Sequence, residues 1–166
     1  SNILLRIKAQ LLGIHAEDFG TEQVAVHKEQ YLGRREVFVP EELFKDFKKK
    51  GVPVECAYCC DMSGNHTCPE LFENEFIVLK ADQSSKKTQL GRVEKGMIRK
   101  LDYRKAAPYG VSPRNVGQYF LQEALMQSAE KAPLVIVKGM AGTSKTFYSL
   151  AVGLEKLLNN PSGEYR

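Results

Sequence analysis

The chain has 166 residues, enough for one ordinary domain or two small ones. At 43% hydrophobic and 27% charged it has a globular composition, which excludes a disordered chain. No apolar run approaches the roughly 20 residues that span a bilayer, and no signal-peptide pattern opens the chain.

In chain order, residues 3–14 predict an amphipathic helix with Leu4, Ile7 and Leu11 on one face. A loop comes next at 16–20, then a mixed stretch at 23–31 in which Val24 and Val26 alternate as in a short strand. Residues 34–39 (Arg-Arg-Glu-Val-Phe-Val) predict a strand. Residues 40–50 predict a short helix, with proline first, acids in the first turn, lysines in the last and Gly51 as the stop. Lys48, Lys49 and Lys50 suit a solvated helix end that complements the macrodipole. Further strands are expected at 52–60 and 75–80, and at 88–94 and 97–101, the last two joined by a tight Lys95-Gly96 turn. Short strands with short turns suggest a small antiparallel sheet or partly closed barrel. The segment 106–110 is the expected boundary between this β-rich part and the C-terminal part of the chain.

All four cysteines lie between Cys56 and Cys68. Cys56, Cys59, His66 and Cys68 have a spacing that could hold a tetrahedral Zn²⁺; free thiols at Cys56, Cys59, Cys60 and Cys68 are the alternative. Between Lys80 and Lys105 there are nine lysines and arginines against three acids, a local net of +6 in a chain whose total is +4. A hairpin so charged can track a phosphate backbone, in a salt-sensitive and poorly sequence-selective way, since only Tyr103 is at hand for stacking. A solvated sheet edge guarded by lysines explains the same residues.

Ser112 and Pro113 predict the start of another helix, with Val116, Phe120, Leu121, Ala124, Leu125 and Ser128 on one face. The stretch 134–146 (Leu-Val-Ile-Val-Lys-Gly-Met-Ala-Gly-Thr-Ser-Lys-Thr) then runs from strand character into a small-residue loop and Lys145-Thr146. Apolar residues at Phe147, Leu150, Ala151, Leu154, Leu157 and Leu158 give a helical stripe behind it. This is the order of a phosphate-binding P-loop, G-x-x-x-x-G-K-[ST], with Ser144 in place of the second glycine. Main-chain amides of Gly139, Met140, Ala141, Gly142, Thr143 and Ser144 would cradle phosphate, Lys145 would reach the β/γ-phosphates, and the Thr146 hydroxyl would bind Mg²⁺ of ATP·Mg²⁺. An ordinary strand–turn–helix connection is the plainer alternative.

With Pro113-Arg114-Asn115-Val116-Gly117-Gln118 upstream of Gly139–Thr146, the chain resembles the PhoH family of P-loop ATPases. The resemblance implies that Gln118 meets the adenine edge with Arg114 and Asn115 nearby; a capped helix facing solvent accounts for the same residues. Residues 4–14 resemble the last helix of a PIN nuclease domain, but the acids of a PIN site are not among these residues. The implied organisation is a PIN-like remnant at 1–20, a β-rich connector at 21–110 and the start of a P-loop ATPase domain at 111–166. The expected fold class is α+β: a small antiparallel β-rich connector flanked by helices, then the first strand, P-loop and helix of an α/β core. Eight residues come after Leu158, so the expectation is a piece of a longer cytoplasmic hydrolase, inactive alone, whose parent couples ATP hydrolysis to RNA unwinding or processing. Nucleotide and RNA are the expected partners, oligomerisation is open, and no membrane is involved. The competing expectation is a non-catalytic nucleic-acid-binding β module, zinc-stabilised, with a vestigial P-loop.

Overall fold

The computed structural model describes residues 8, 11–13, 31–60, 64–82 and 84–159. The chain divides into two compact units, Ser1–Leu32 and Gly33–Arg166. In the first, Lys8 and Leu11 are helical and Leu12-Gly13 forms a turn. The rest of the helix expected at 3–14 lies outside the described residues, as does nearly all of the segment at 16–31.

The second unit begins with β1 (Arg34–Val39) and α1 (Glu41–Lys50), both at their expected places. Phe44 and Phe47, three apart on one helical face, are buried, and the Gly51 N–H closes the helix on Phe47 O at 2.9 Å. Then come β2 (Val52–Pro53), a 3₁₀ turn at Val54–Cys56, β3 (Cys59–Cys60) and β4 (His66–Thr67). The single strand expected at 52–60 is thus three pieces. Pro53, with no N–H to give a ladder, ends β2 after two residues.

β5 (Phe76–Ala81), β6 (Ser84–Glu94) and β7 (Met97–Lys100) complete a five-stranded sheet in the order β1-β5-β6-β7-β2. The Lys95-Gly96 turn has φ of 52° and 72°, both left-handed, as a two-residue hairpin matched to sheet twist requires. The sheet is mixed, not antiparallel as expected, because β1 pairs β5 in parallel, Arg34 to Phe76 through Val39 to Ala81. The return between them is long and carries α1, which is what a parallel neighbour needs.

Alternation then sorts the faces. Val37, Val39, Ile77, Leu79, Ala81, Val93 and Ile98 form one core with Phe44 and Phe47 of α1. Gly91 lies under that helix, where a Cβ would stand 2.8 Å from Arg99 O and 3.0 Å from the Phe47 ring. On the opposite face Phe76, Val78 and Leu90 meet Leu101 and α2 (Val116–Met126), with the Phe76 and Phe120 rings stacked at 4.8 Å. The last helix is α3 (Lys145–Asn159). Among the described residues no helix is long and apolar enough to cross a membrane.

Three expectations for the C-terminal part are corrected. The residues expected to form a strand, 134–137, join no ladder, and Leu134 and Ile136 are 77% and 82% exposed. A strand is a pairing, and no described strand lies beside them. The N-cap of α2 is Asn115, not Ser112, and α2 buries Phe120, Gln122 and Glu123 while Val116 of the expected face is exposed. Likewise α3 buries Tyr148, Ala151 and Val152, leaving Phe147, Leu150, Leu154, Leu157 and Leu158 of its apolar stripe exposed.

Candidate nucleotide-binding site

The loop ahead of α3 is shaped by left-handed backbone at Gly142 (φ 77°) and Ser144 (φ 61°). Glycine enters that region freely, whereas the Cβ of serine crowds the backbone there. The serine that stands where a P-loop has its second glycine therefore sits on backbone that favours glycine. Thr143 Oγ1 donates to Met140 O at 2.7 Å and folds the loop on itself. Lys145 turns its ammonium back onto the same loop, donating to Gly139 O at 2.9 Å, Met140 O at 2.5 Å and Thr143 Oγ1 at 3.2 Å. A Cβ on Gly139 would meet Thr143 Oγ1 at 3.2 Å and the Lys145 stem at 3.7 Å, a tight fit that the Thr143 side chain would have to ease.

The Tyr148 N–H bonds Ser144 O at 3.0 Å in the first turn of α3, so the amides just before Tyr148 point out of the helix end, where the macrodipole favours an anion. Met140, Ala141, Gly142, Thr143 and Thr146 are exposed around that end. Loop amides, a lysine ammonium and a threonine hydroxyl form a donor set that suits a polyphosphate with its metal.

Beside the loop lies a cavity of about 410 Å³, lined by Ser144, Phe147 and Tyr148 of the loop and α3 and by Gly110, Arg114 and Gln118 from earlier in the chain. Gln118 reaches the cavity as part of the α2 cap. The Asn115 side chain accepts from Gln118 N at 3.0 Å, and the Gln118 carboxamide oxygen accepts from Arg114 N at 2.8 Å. The capping and cavity-lining roles of Gln118 are thus one arrangement. Tyr148 is 2% exposed, its hydroxyl has no hydrogen-bond partner among the described residues, and burial pushes its phenol up against the opposing pull of Arg114.

Polar residues of α2 and α3 tie these helices to each other and to residues 102–109. Tyr109 has φ 47° and donates its N–H to Glu155 Oε2 of α3 at 2.9 Å, and that bond, with Asn159, holds the Glu155 carboxyl below its usual range. Glu123 accepts from Asp102 N at 3.1 Å and Tyr103 N at 2.8 Å, and Gln122 donates to Tyr103 O and Ala106 O. Gln127 bonds Glu123, and Lys156 of α3 donates to Gln127 O at 2.7 Å. The available signal was register: Glu123 and Gln127 come three and seven residues after Phe120, on its face.

Cys56, Cys60, His66 and Cys68 are exposed, and Cys59 is half-buried with its thiol pushed up mainly by burial. Cys60 pairs with His66 across β3 and β4, and the His66 ring stacks on Tyr58 at 4.2 Å. Among the described residues no group of three or more His, Cys, Asp or Glu side chains is placed to hold a metal ion. The basic segment is not uniformly a surface. Arg92 is 5% exposed and bonds Asn74 at 2.7 Å, with Glu94 and Asp102 at 3.8 and 3.9 Å. Lys80 pairs with Glu36, whereas Lys87, Lys95, Arg99, Lys100, Arg104 and Lys105 are exposed.

No family model matches the chain, and no solved structure matches it. It is similar to the protein PhoH2 of Bacillus subtilis (strain 168), with 30% identity over 156 residues. The match covers 92% of this chain and 33% of that protein, so the chain spans a third of the length of its relative. The similarity runs along nearly the whole of this chain.

Proposed function

We propose that this chain is the nucleotide-binding entry of a PhoH-like ATPase and that it takes ATP·Mg²⁺ at the 139–146 loop. The observation that carries this reading is the Lys145 ammonium, held inside its own loop by Gly139 O and Met140 O at the start of α3. The polyphosphate lies across the loop amides with Lys145 against its outer phosphates, and the Thr146 hydroxyl is the protein ligand offered to Mg²⁺. The metal, when bound, supplies charge neutralisation on the phosphates. Gln118, which lines the same cavity as Ser144, is the side chain offered to the base. The exposed apolar residues Leu134 and Ile136, with the exposed stripe of α3, are what the first strand and helix of an α/β core present to their neighbours.

Isothermal titration with ATP·Mg²⁺ tests the reading. Lys145→Ala removes the cation and should weaken binding at least tenfold, a loss of about 1.4 kcal/mol, while leaving the thermal midpoint unchanged because the Lys145 bonds are at the surface. Equal affinities would overturn it.

RNA as the partner of the whole protein rests on resemblance and on one feature of the sheet. Phe38, Tyr58 and His66 stack in sequence at 5.9 and 4.2 Å, and the Lys80 ammonium lies 5.9 Å from the centre of the Phe38 ring. Binding of single-stranded RNA that weakens steeply with salt, and further on Tyr58→Ala, is the expected outcome. Salt-independent binding would count against it.

A further inference from the structure

The 3₁₀ turn at Pro108–Gly110 is tied to α3 through its own backbone. Pro108 is buried and has no N–H to give, while the Gly110 N–H donates to Ala107 O and the Val111 N–H to Pro108 O, both at 2.9 Å. The Tyr109 N–H leaves the turn and donates to Glu155 Oε2 at 2.9 Å. The other carboxylate oxygen, Glu155 Oε1, accepts from the Asn159 side chain at 2.9 Å, which fixes the carboxylate one helical turn from its helper. A backbone donor that meets a carboxylate makes a stronger bond than one that meets a neutral oxygen.

Tyr109 is the residue that needs such a bond. Its φ of 47° lies in the left-handed region, where the Cβ of an L-residue crowds the backbone, and Gly110 follows at φ 76°. A conformation of that kind persists only where its surroundings hold it. Released from Glu155, Tyr109 would return to negative φ and the chain leaving it would change direction. That chain is Gly110, Val111 and Ser112, all of which line the 410 Å³ cavity beside the 139–146 loop. Glu155 itself lies about 15 Å along α3 from Lys145, too far to meet a ligand held at the start of that helix.

We infer that Glu155 is a positioning residue for nucleotide binding: by accepting the Tyr109 N–H it holds the left-handed turn that sets Gly110, Val111 and Ser112 in the cavity lining. This rests on the nucleotide-binding reading of the 139–146 loop and adds to it the residue that keeps the rest of the cavity in shape. One helix then serves both parts, with Lys145 and Thr146 at its start and Glu155 in its last turns. The oxygen is what counts, so a glutamine at 155, which keeps an acceptor at the same reach, does the same work.

The test is equilibrium titration, in Mg²⁺, with ATP and with inorganic tripolyphosphate, of the chain and of Glu155→Ala, Glu155→Gln, Tyr109→Gly and the double variant Tyr109→Gly with Glu155→Ala. Glu155→Ala should weaken ATP by about tenfold, the scale of one hydrogen bond to a charged group, and leave tripolyphosphate, which reaches only the loop, unchanged. Glu155→Gln should bind ATP within about threefold of the wild type. Glycine at 109 enters the left-handed region freely, so in that background Glu155→Ala should cost less than about threefold. An unchanged ATP affinity in Glu155→Ala overturns the inference, as does a loss in Glu155→Gln as large as that in Glu155→Ala, which would assign the effect to charge. An equal loss for tripolyphosphate overturns it by marking a general loosening of α3, and a full tenfold loss in the Tyr109→Gly background overturns it by removing the turn from the argument. If the wild type binds neither tripolyphosphate nor ATP, the reading of the loop fails and the inference with it, a result distinct from all the others.

Discussion

Ser144 offers a direct measure of strain in the loop. Its φ of 61° lies in the region that costs an L-residue roughly 1–2 kcal/mol. Replacing it with glycine removes that cost but loses roughly 0.5–1 kcal/mol to the greater entropy of the unfolded chain. The net gain is about 0.5–1 kcal/mol, and for a chain of this size it raises the thermal midpoint by about 1–4 °C. The loop's strain is released only when α3 unravels, since α3 begins at the very next residue. Ser144→Ala is the informative control, because it keeps the Cβ and the strained φ while losing the hydroxyl. Thermal melts of the three proteins should therefore place Ser144→Gly above the wild type, with Ser144→Ala level with the wild type. Titration should also show tighter ATP·Mg²⁺ binding for the glycine variant, because the Cβ no longer stands next to the phosphate path. A midpoint for Ser144→Gly at or below that of the wild type would refute the strain, and an equal gain in Ser144→Ala would assign it to the hydroxyl.

Gly91→Ala would drive a Cβ to 2.8 Å from a backbone oxygen and 2.9 Å from Ile98 Cγ2 beneath α1. Overpacking of that kind costs about 1–3 kcal/mol, and a lower denaturant midpoint with unchanged slope should report it. Glu94 is held below its ordinary value of 4.5, chiefly by its hydrogen bond to Lys131, with Arg92 and Arg99 adding to the pull. Its folded value is depressed, so its stabilisation is complete above 4.5 and is lost as the pH falls through the folded value. Glu94→Gln should flatten the acid limb of stability against pH; an acid limb as steep as the wild type's would contradict this assignment. Together with Lys145→Ala, these variants probe the sheet and the loop separately.

Local chemistry made much of this legible. Arg34–Val39 reads as a strand from its own alternation, α1 from its proline, acids and lysines, and the hairpin from Lys95-Gly96. The parallel pairing of β1 with β5 was not legible, because it depends on which strand meets which across a long stretch of intervening chain. Burial on α2 and α3 misled for a related reason. Periodicity says which residues share a face, not what covers it, and Leu150 and Leu157 face outward while Gln122 and Glu123 go in. Those two are buried because they satisfy the backbone of residues 102–106, a demand set by the loop, although Glu123 shares the face of Phe120. Of the candidate site, the order of glycines, lysine and helix was written in the chain, whereas the unpartnered hydroxyl of Tyr148 depends on packing.

The chain of bonds from Lys156 through Gln127 to Glu123, and on to the backbone at Asp102 and Tyr103, has a thermodynamic corollary. α2, α3 and the segment just after β7 share these partners, so none of them melts without leaving polar atoms of the others unsatisfied. Occupancy at the start of α3 is then felt by the whole assembly: mass action at one end emerges as resistance to heat at the other, and the far strands of the sheet register a molecule they never touch.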